Sequence, residues 1–140
     1  MNRRSLLKYG GLLGAAPLAA GAEKLMGQAA NGGAKPIVLY CDLAVDPKRE
    51  QEMLDAYHNH FRPVAVKFPG YVDLKIVKIR RTLSGQAPPA GVNYRFELTY
   101  ESEEARQRWI KSDVHQKVWP PIENMLTNKA TYPVLLFDSV

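Results

Sequence analysis

The residues from 92 to 100 constrain the fold of this chain more than any other stretch, because their polarity alternates strictly. Apolar residues occupy every second position and polar residues fill the positions between: Val92, Tyr94, Phe96, Leu98 and Tyr100 against Asn93, Arg95, Glu97 and Thr99. Successive side chains of a strand point to opposite faces. The segment therefore predicts a strand with one face in a core and one polar face.

Three further segments are rich in the β-branched and aromatic residues that favour strands. They span residues 36–45, 71–79 and 132–137. Residues 80–91 form a long connection with proline and glycine, so the strand before it and the alternating segment after it predict an antiparallel hairpin.

The first helix is predicted between the first two strands. Asp46-Pro47 supplies an N-cap carboxylate and a proline for the first helical position. Pro63 is expected to kink or divide the helix, and Pro69-Gly70 ends it. Its apolar stripe, at spacings of three and four, is Met53, Leu54, Tyr57, Phe61 and Val64.

A second helical region follows the alternating strand. Ser102 is its capping residue, two glutamates follow it, and the helix runs to about Lys111. Ser112-Asp113 caps a further segment, which we expect Pro120-Pro121 to interrupt before residues 122–126 continue it.

The resulting order is β-α-β-β-α-β, the ferredoxin-like split motif of an α+β protein. It gives a four-stranded antiparallel sheet with helices on one face only. On the other face, Val77 and Ile79 are expected to lie beside Tyr71, Asp73 and Lys75. Burying such a mixed face requires a partner, so the sequence predicts a homodimer in which two sheets pack face to face.

The first residues resemble the twin-arginine export signal of bacteria: Met1-Asn2-Arg3-Arg4-Ser5-Leu6-Leu7-Lys8. The apolar run that follows, residues 10–20, is shorter than the ~20 residues of a spanning helix, and Ala20-Gly21-Ala22 suits signal peptidase. We expect residues 1–22 to be the signal, 23–35 a flexible linker and 36–140 the folded domain, periplasmic or secreted and without a stable membrane anchor. The alternative is a general-secretion signal that happens to contain two arginines.

Charge and cysteine content exclude several classes. The chain has 19 Lys and Arg against 14 Asp and Glu, and three of the basic residues leave with the signal, so the mature charge is small. No basic patch dense enough for nucleic acid is present. The one cysteine, Cys41, lies in a predicted strand as a buried, inert thiol, and three histidines offer no spacing typical of a metal site.

Three stretches resemble the dimeric α/β-barrel superfamily, and most closely its branch of antibiotic-biosynthesis monooxygenases. They are His60-Phe61-Arg62-Pro63 with Phe68-Pro69-Gly70-Tyr71, then residues 94–98, then Trp109-Ile110-Lys111-Ser112-Asp113-Val114-His115. The resemblance implies a dimer and cofactor-free oxygenation of phenols or quinols. The same superfamily includes haem-degrading enzymes, EthD-like proteins, chlorite dismutases and members without known chemistry.

Two of these branches match this chain incompletely. The haem-degrading branch uses a first-strand asparagine, whose position falls near Cys41 or Asp42, and a ligand histidine, whose position falls at Trp119. His115, one helical turn from Trp119, is the residue that would restore ligation. The EthD-like branch has a histidine followed closely by proline, and here two residues separate His60 from Pro63.

His115 is the first candidate for chemistry, as a general base with an ordinary pKa of about 6.5, and His60 is expected to assist it. Candidate substrate-binding residues are Tyr57, Trp109, Trp119, Tyr94 and Arg62. The plainer alternatives are a histidine bonded to backbone, aromatic residues that only fill the core, and an arginine in an ion pair.

Three functions follow. The first is an exported, cofactor-independent monooxygenase-like enzyme, or a related isomerase, acting on a small aromatic or polyketide-like molecule. The second is a non-catalytic module that binds a small ligand or serves a stress response, and the third is haem handling. No serine-nucleophile, dinucleotide or phosphate-loop motif is present, so no cofactor is expected.

Overall fold

The computed structural model describes residues 35–140. Within them, four strands form one antiparallel sheet in the spatial order β2-β3-β1-β4. The strands are β1 (Ile37–Leu43), β2 (Tyr71–Lys78), β3 (Tyr94–Tyr100) and β4 (Val134–Asp138). The helices are α1 (Glu50–Ala56), α2 (Arg62–Ala65), α3 (Glu103–Lys111) and α4 (Asp113–Glu123). The predicted ferredoxin-like α+β fold is confirmed. The predicted signal peptide, and the predicted linker up to its last residue, lie outside the described residues.

The first helical region begins where its capping residues predict. The Asp46 carboxylate accepts a hydrogen bond from the Lys48 backbone N–H at 2.9 Å, and a 3₁₀ turn, Pro47–Arg49, leads into α1. A π-helical segment, Tyr57–Phe61, joins α1 to α2, and the Arg62 N–H closes its wide turn on the Tyr57 carbonyl. Pro63 lacks an N–H group, so the helix is divided at the place its sequence predicts.

The second helical region agrees with its predicted caps but not with its predicted break. The Ser102 and Ser112 hydroxyls accept backbone hydrogen bonds from Ala105 and His115, each at 3.1 Å. The expected interruption at Pro120-Pro121 is wrong, because α4 continues through both prolines. Proline's fixed φ is helical, only two bonds are lost, and the buried side chain of Ile122 anchors the last turn in the core.

One face of the sheet packs under the helices. Alternate residues of β1 and β3 point to that face, with Cys41 opposite Phe96 and Leu39 opposite Leu98. The helices place large rings against them, among which Tyr57, Phe61 and Trp109 are nearly inaccessible to solvent. This arrangement puts an aromatic layer directly between the sheet and the helices.

The placement of Tyr71 on the open face with Asp73 is wrong. A bulge interrupts the pairing, so that Tyr71 lies opposite Tyr100 whereas Asp73 lies opposite Thr99. The extra residue reverses the side to which the start of β2 points, and Tyr71 packs against the core. Asp73 lies opposite Thr99, and both side chains point to the open face.

The open face is apolar at one edge and charged towards the other. Leu135 and Phe137 of β4 are about half exposed, with Phe137 at 50%. On β3, Arg95 donates two hydrogen bonds to the Asp42 carboxylate, at 2.7 and 3.1 Å. No helix covers β4 on its other side either, because Val134 and Leu136 are equally exposed. Arg95 is thus held in an ion pair on this face.

No helix within residues 35–140 has the length and hydropathy needed to cross a bilayer.

We predict that Gly70→Ala destabilises the domain by about 2–4 kcal/mol in urea unfolding, from backbone strain and overpacking together. Gly70 has φ +92°, and a Cβ there would lie 2.3 Å from the Ala105 Cβ. Gly85→Ala is the matched control, because φ is +79° there but nothing lies within 4 Å of the new Cβ. The control should lose only about 1–2 kcal/mol. Equal losses in the two variants would contradict a close contact between the β2 turn and α3.

Candidate functional site

A cavity of about 170 Å³ lies between the helix-covered face of the sheet and helices α3 and α4. Aliphatic and aromatic side chains form most of its wall, namely Leu39, Phe61, Phe96, Leu98, Ile110 and Val134. The side chains with polar atoms on its lining are Cys41, Tyr100, Arg106, Trp109, His115, Trp119 and Tyr132. The site is thus an apolar pocket with a few convergent polar groups, the usual character of a small-molecule site.

His115 is placed in this cavity by the start of α4. Its backbone N–H caps onto Ser112, and its ring meets the Trp109 ring edge to face with centroids 5.3 Å apart. The Nδ1 atom is buried, and none of residues 35–140 bonds to it. Burial lowers the pKa of His115, and the negative charge of Glu123 opposes that shift. The imidazole is therefore held neutral at physiological pH, the form a general base needs.

Tyr100 supplies a second unpaired polar group. It is the last residue of β3, its side chain is 2% exposed, and its hydroxyl has no hydrogen-bond partner among the described residues. Burial raises the pKa of Tyr100 well above its usual range, so the hydroxyl stays protonated as a donor. Of the buried side-chain polar atoms in the described part of the chain, those of Tyr100 and His115 alone lack a partner, and both residues line this one cavity.

Three other polar side chains of the wall, Trp119, Tyr132 and Arg106, are hydrogen-bonded within the fold. Trp119 Nε1 donates to the Tyr132 hydroxyl at 3.3 Å, and that hydroxyl donates to Glu123 Oε2 at 2.6 Å. Arg106 donates to both oxygens of Glu103, each at 2.7 Å. These bonds fix that part of the wall, whereas the Tyr100 hydroxyl and His115 Nδ1 are buried without a partner among the described residues.

Cys41 borders the cavity as an unreactive thiol. Burial raises its pKa to about 12, and the adjacent Asp42 adds to the shift. Thiolate is the nucleophilic form of cysteine, so a thiol held this firmly protonated does not attack a ligand.

Three of the predicted site residues lie together in the cavity: His115, Trp109 and Trp119. Tyr57 and Tyr94 lie elsewhere. Tyr57 is buried in the core against Phe96, with ring centroids 5.9 Å apart. The Tyr94 hydroxyl donates to Glu50, and burial together with that bond raises the pKa of Tyr94 to about 12.

His60 and Arg62 do not reach the cavity. His60 is exposed in a shallow groove between the first helical region and α4, beside Pro63 and Val118. Arg62 Nη1 donates to the Leu74 carbonyl at 2.9 Å and ties the helix to β2. The expected assistance of His115 by His60 therefore has no geometric support, since the two histidines line different surfaces.

Tyr100 is the residue that sequence reasoning missed. The alternating strand already placed it on the core face, and a tyrosine at the end of a core face brings a hydroxyl that needs a partner. The need of this buried hydroxyl for a hydrogen-bond partner is the feature of the sequence that could have identified Tyr100. Phe61 also lines the cavity, whereas the sequence predicts it only as part of the apolar stripe of the first helix.

A larger groove, of about 430 Å³, lies on the open face beside residues 86–92. Its charged side chains are already paired, Arg95 with Asp42 and Lys78 with Glu50. No histidine borders it. The cavity under the helices is therefore the stronger candidate.

A metal ion needs clustered ligands, and haem needs a wide pocket. Residues 35–140 contain no group of three or more His, Cys, Asp or Glu side chains placed to hold a metal ion. A cavity of about 150 Å³ holds one benzene ring, and the 170 Å³ here is close to that size. A haem, with four pyrrole rings, would have to extend well beyond this volume.

No family model matches the chain, and no curated protein matches it significantly. Solved structures do match. A dimeric ferredoxin-like protein of unknown function from Jannaschia sp. is 14% identical with a TM-score of 0.60, covering 75% of this chain and 98% of its own. A Caulobacter crescentus protein assigned by name to the antibiotic biosynthesis monooxygenases is 14% identical with a TM-score of 0.59, covering 76% and 92%. An ethyl tert-butyl ether D family protein from Bacillus halodurans is 16% identical with a TM-score of 0.55, covering 76% and 99%. At these identities the likeness shows the ferredoxin-like fold.

Proposed function

We propose that this chain is a cofactor-independent, monooxygenase-like enzyme acting on a small hydroxylated aromatic molecule, with His115 as the general base. The observation that carries the proposal is a neutral imidazole whose Nδ1 is buried without a partner in an aromatic cavity. Several structures of the same fold are named as antibiotic biosynthesis monooxygenases, which supports the class of reaction.

The proposed reaction requires few chemical groups from the protein. His115 takes the hydroxyl proton of a phenol, and a ring carbon of the electron-rich phenolate bonds to dioxygen. The histidinium returns its proton to the outer oxygen of the peroxide, and the O–O bond breaks as the ring carbon loses its hydrogen as a proton, which leaves a quinone carbonyl and one water. One oxygen atom enters the product, the other enters water, and the substrate supplies the electrons. The cavity provides the base and an apolar wall.

We predict that His115→Ala lowers oxygen uptake on phenols and quinols by at least about 10²-fold, the usual effect of losing a general base. Ligand affinity should fall far less. Because burial lowers the pKa of His115, the wild-type activity should decline only at pH values below about 6.5, as the imidazole takes up a proton. An oxygen electrode with pH-varied buffers measures both quantities.

His58→Ala is the matched control for that variant, because His58 is exposed and does not line the cavity. It should retain full oxygen uptake. Equal activity in His115→Ala and wild type would eliminate His115 as the base.

A binding module without turnover is the second candidate. Among residues 35–140, the His115 ring donates no orienting hydrogen bond to a carboxylate, unlike the bases of most acid–base relays, and Glu123 accepts one from Tyr132 instead. Ligand binding by wild type and His115→Ala alike, with no oxygen uptake by either, would favour this function.

We further propose that the chain forms a homodimer through the open face of the sheet. The half-exposed β4 residues, Leu135 and Phe137, continue across β1 through Val38 and Tyr40, with which they pair. An apolar edge strand left uncovered on both sides invites association, and a second copy covers it symmetrically. The dimeric assembly of the Jannaschia protein supports this arrangement.

We predict that Phe137→Asp converts a dimer to a monomer in light scattering while the far-ultraviolet circular dichroism is retained. A charge at a half-exposed position costs the isolated chain little, but it costs several kcal/mol when the partner buries it unpaired. Val114→Asp, a similar change on the exposed part of α4, should remain dimeric. A wild-type mass of one chain would refute the dimer directly.

We also propose export by the twin-arginine route. Replacing Arg3 and Arg4 together by lysine should leave the precursor in the cytoplasm of a bacterial host, as followed by immunoblot of cell fractions. A general-secretion signal needs only a positive n-region, which lysines preserve. Continued export of the double variant would therefore identify the general route.

A further inference from the structure

Tyr100 and His115 present two polar atoms to one apolar cavity, and nothing in the described chain bonds to either. Leaving a buried polar group unpaired costs about 1–3 kcal/mol, so native folds rarely keep two such groups together. The neighbouring polar side chains do not relieve Tyr100, because Arg106 is held by Glu103 and Tyr132 by Glu123. The two atoms therefore mark where the polar groups of a ligand would form hydrogen bonds.

We propose that Tyr100 is a specificity-determining residue, whose hydroxyl donates a hydrogen bond to an oxygen acceptor of a single-ring ligand while a second polar group of that ligand faces His115. The proposal rests on the function proposed above for His115. In that function Nδ1 presents a lone pair, so the group facing it is a hydroxyl donor. The ligand class is accordingly a phenol with a second oxygen, a carbonyl or hydroxyl, on the same ring.

The volume of the cavity limits how many rings the ligand can have. Its volume of about 170 Å³ exceeds only slightly the 150 Å³ that holds one benzene ring. Interlocked rings bound the space, with Phe96 and Trp119 centroids 5.4 Å apart and Phe61 and Trp109 centroids 5.7 Å apart. A fused second ring would exceed this volume, and it would have to displace one of these side chains, which packed interiors resist, or extend out of the pocket. This restricts the polyketide-like alternative to single-ring molecules.

Tryptophan fluorescence provides a direct binding assay. The chain has two tryptophans, Trp109 and Trp119, and both line the cavity. The probes are the three hydroxybenzaldehyde isomers, which carry both oxygens, then benzaldehyde, phenol and the two-ring 6-hydroxy-2-naphthaldehyde. Each is titrated into the mature protein, into Tyr100→Phe, and into Tyr40→Phe, which removes a tyrosine hydroxyl from the open face.

In wild type, one hydroxybenzaldehyde isomer should bind more tightly than phenol, and at least tenfold more tightly than the naphthaldehyde. Tyr100→Phe should weaken that isomer and benzaldehyde about five- to hundredfold, the effect of an unmet hydrogen bond, and should leave phenol within about threefold. Tyr40→Phe should change none of these affinities.

An equal effect of Tyr100→Phe on phenol, or no effect on any probe, would overturn the role of Tyr100. Tighter binding of the naphthaldehyde would overturn the single-ring limit, and no quenching by any probe would overturn both.

Thermal stability of the ligand-free protein separates a ligand-binding hydroxyl from a structural one. Removing an unpaired buried hydroxyl should leave the Tm of Tyr100→Phe unchanged or raised. A fall of about 4 °C or more would show that the hydroxyl is bonded within the fold, and would count against the proposal.

The binding assay and the oxygen-electrode assay test the two proposals separately. Binding with the expected dependence on Tyr100 but no oxygen uptake would keep this inference and overturn the enzyme function. His115-dependent turnover that Tyr100→Phe leaves unchanged would keep the enzyme function and overturn this inference.

Discussion

The structure depends on the ring of Phe61 more than on any other single contact. This ring lies edge to face against Phe96 of β3 at 5.2 Å, against Trp109 of α3 at 5.7 Å and against Trp119 of α4 at 5.9 Å. One side chain therefore joins the first helical region, the sheet and both later helices. It also forms part of the cavity wall, so the contact that holds the layers together is the one that shapes the site.

The π-helical segment explains how Phe61 reaches that position. The buried residues of the first helical region recur at every fourth position, at Met53, Tyr57, Phe61 and Ala65. In an α-helix, residues four apart drift by about 40° at each step, so such a row would turn away from the sheet. The wider turn over residues 57–61 takes up the drift, and Pro63 favours it by withholding a backbone donor. π-helical turns are frequent at functional sites. Here the turn places a side chain that a regular α-helix would direct away from the sheet.

Sequence reasoning succeeded where the cause was local. Alternation in β3, the caps Asp46, Ser102 and Ser112, and the division at Pro63 all follow from residues a few positions apart. It failed where distant packing decides the outcome. Ile122 in the core holds a helix through two prolines, and the bulge in β2 depends on how that strand meets β3. Likewise Trp109, His115 and Trp119 line one cavity and lie within one short helical stretch, so local reasoning could place them together. Tyr100 joins them only through the tertiary fold, and a helical stripe alone could not show that His60 faces another surface.

The two unpaired groups also bear on how such a site binds. A buried polar group without a partner costs about 1–3 kcal/mol, so a ligand that bonds to both the Tyr100 hydroxyl and His115 Nδ1, as proposed above, would gain that energy at each. Binding energy is then concentrated in two hydrogen bonds rather than spread over apolar contact, so an analogue that lacks either oxygen loses more than its lost area would suggest. The same burial lowers the pKa of His115 and raises that of Tyr100. In the function proposed above, the base therefore enters the reaction neutral and the donor keeps its proton, and both states have one cause, burial against the aromatic layer.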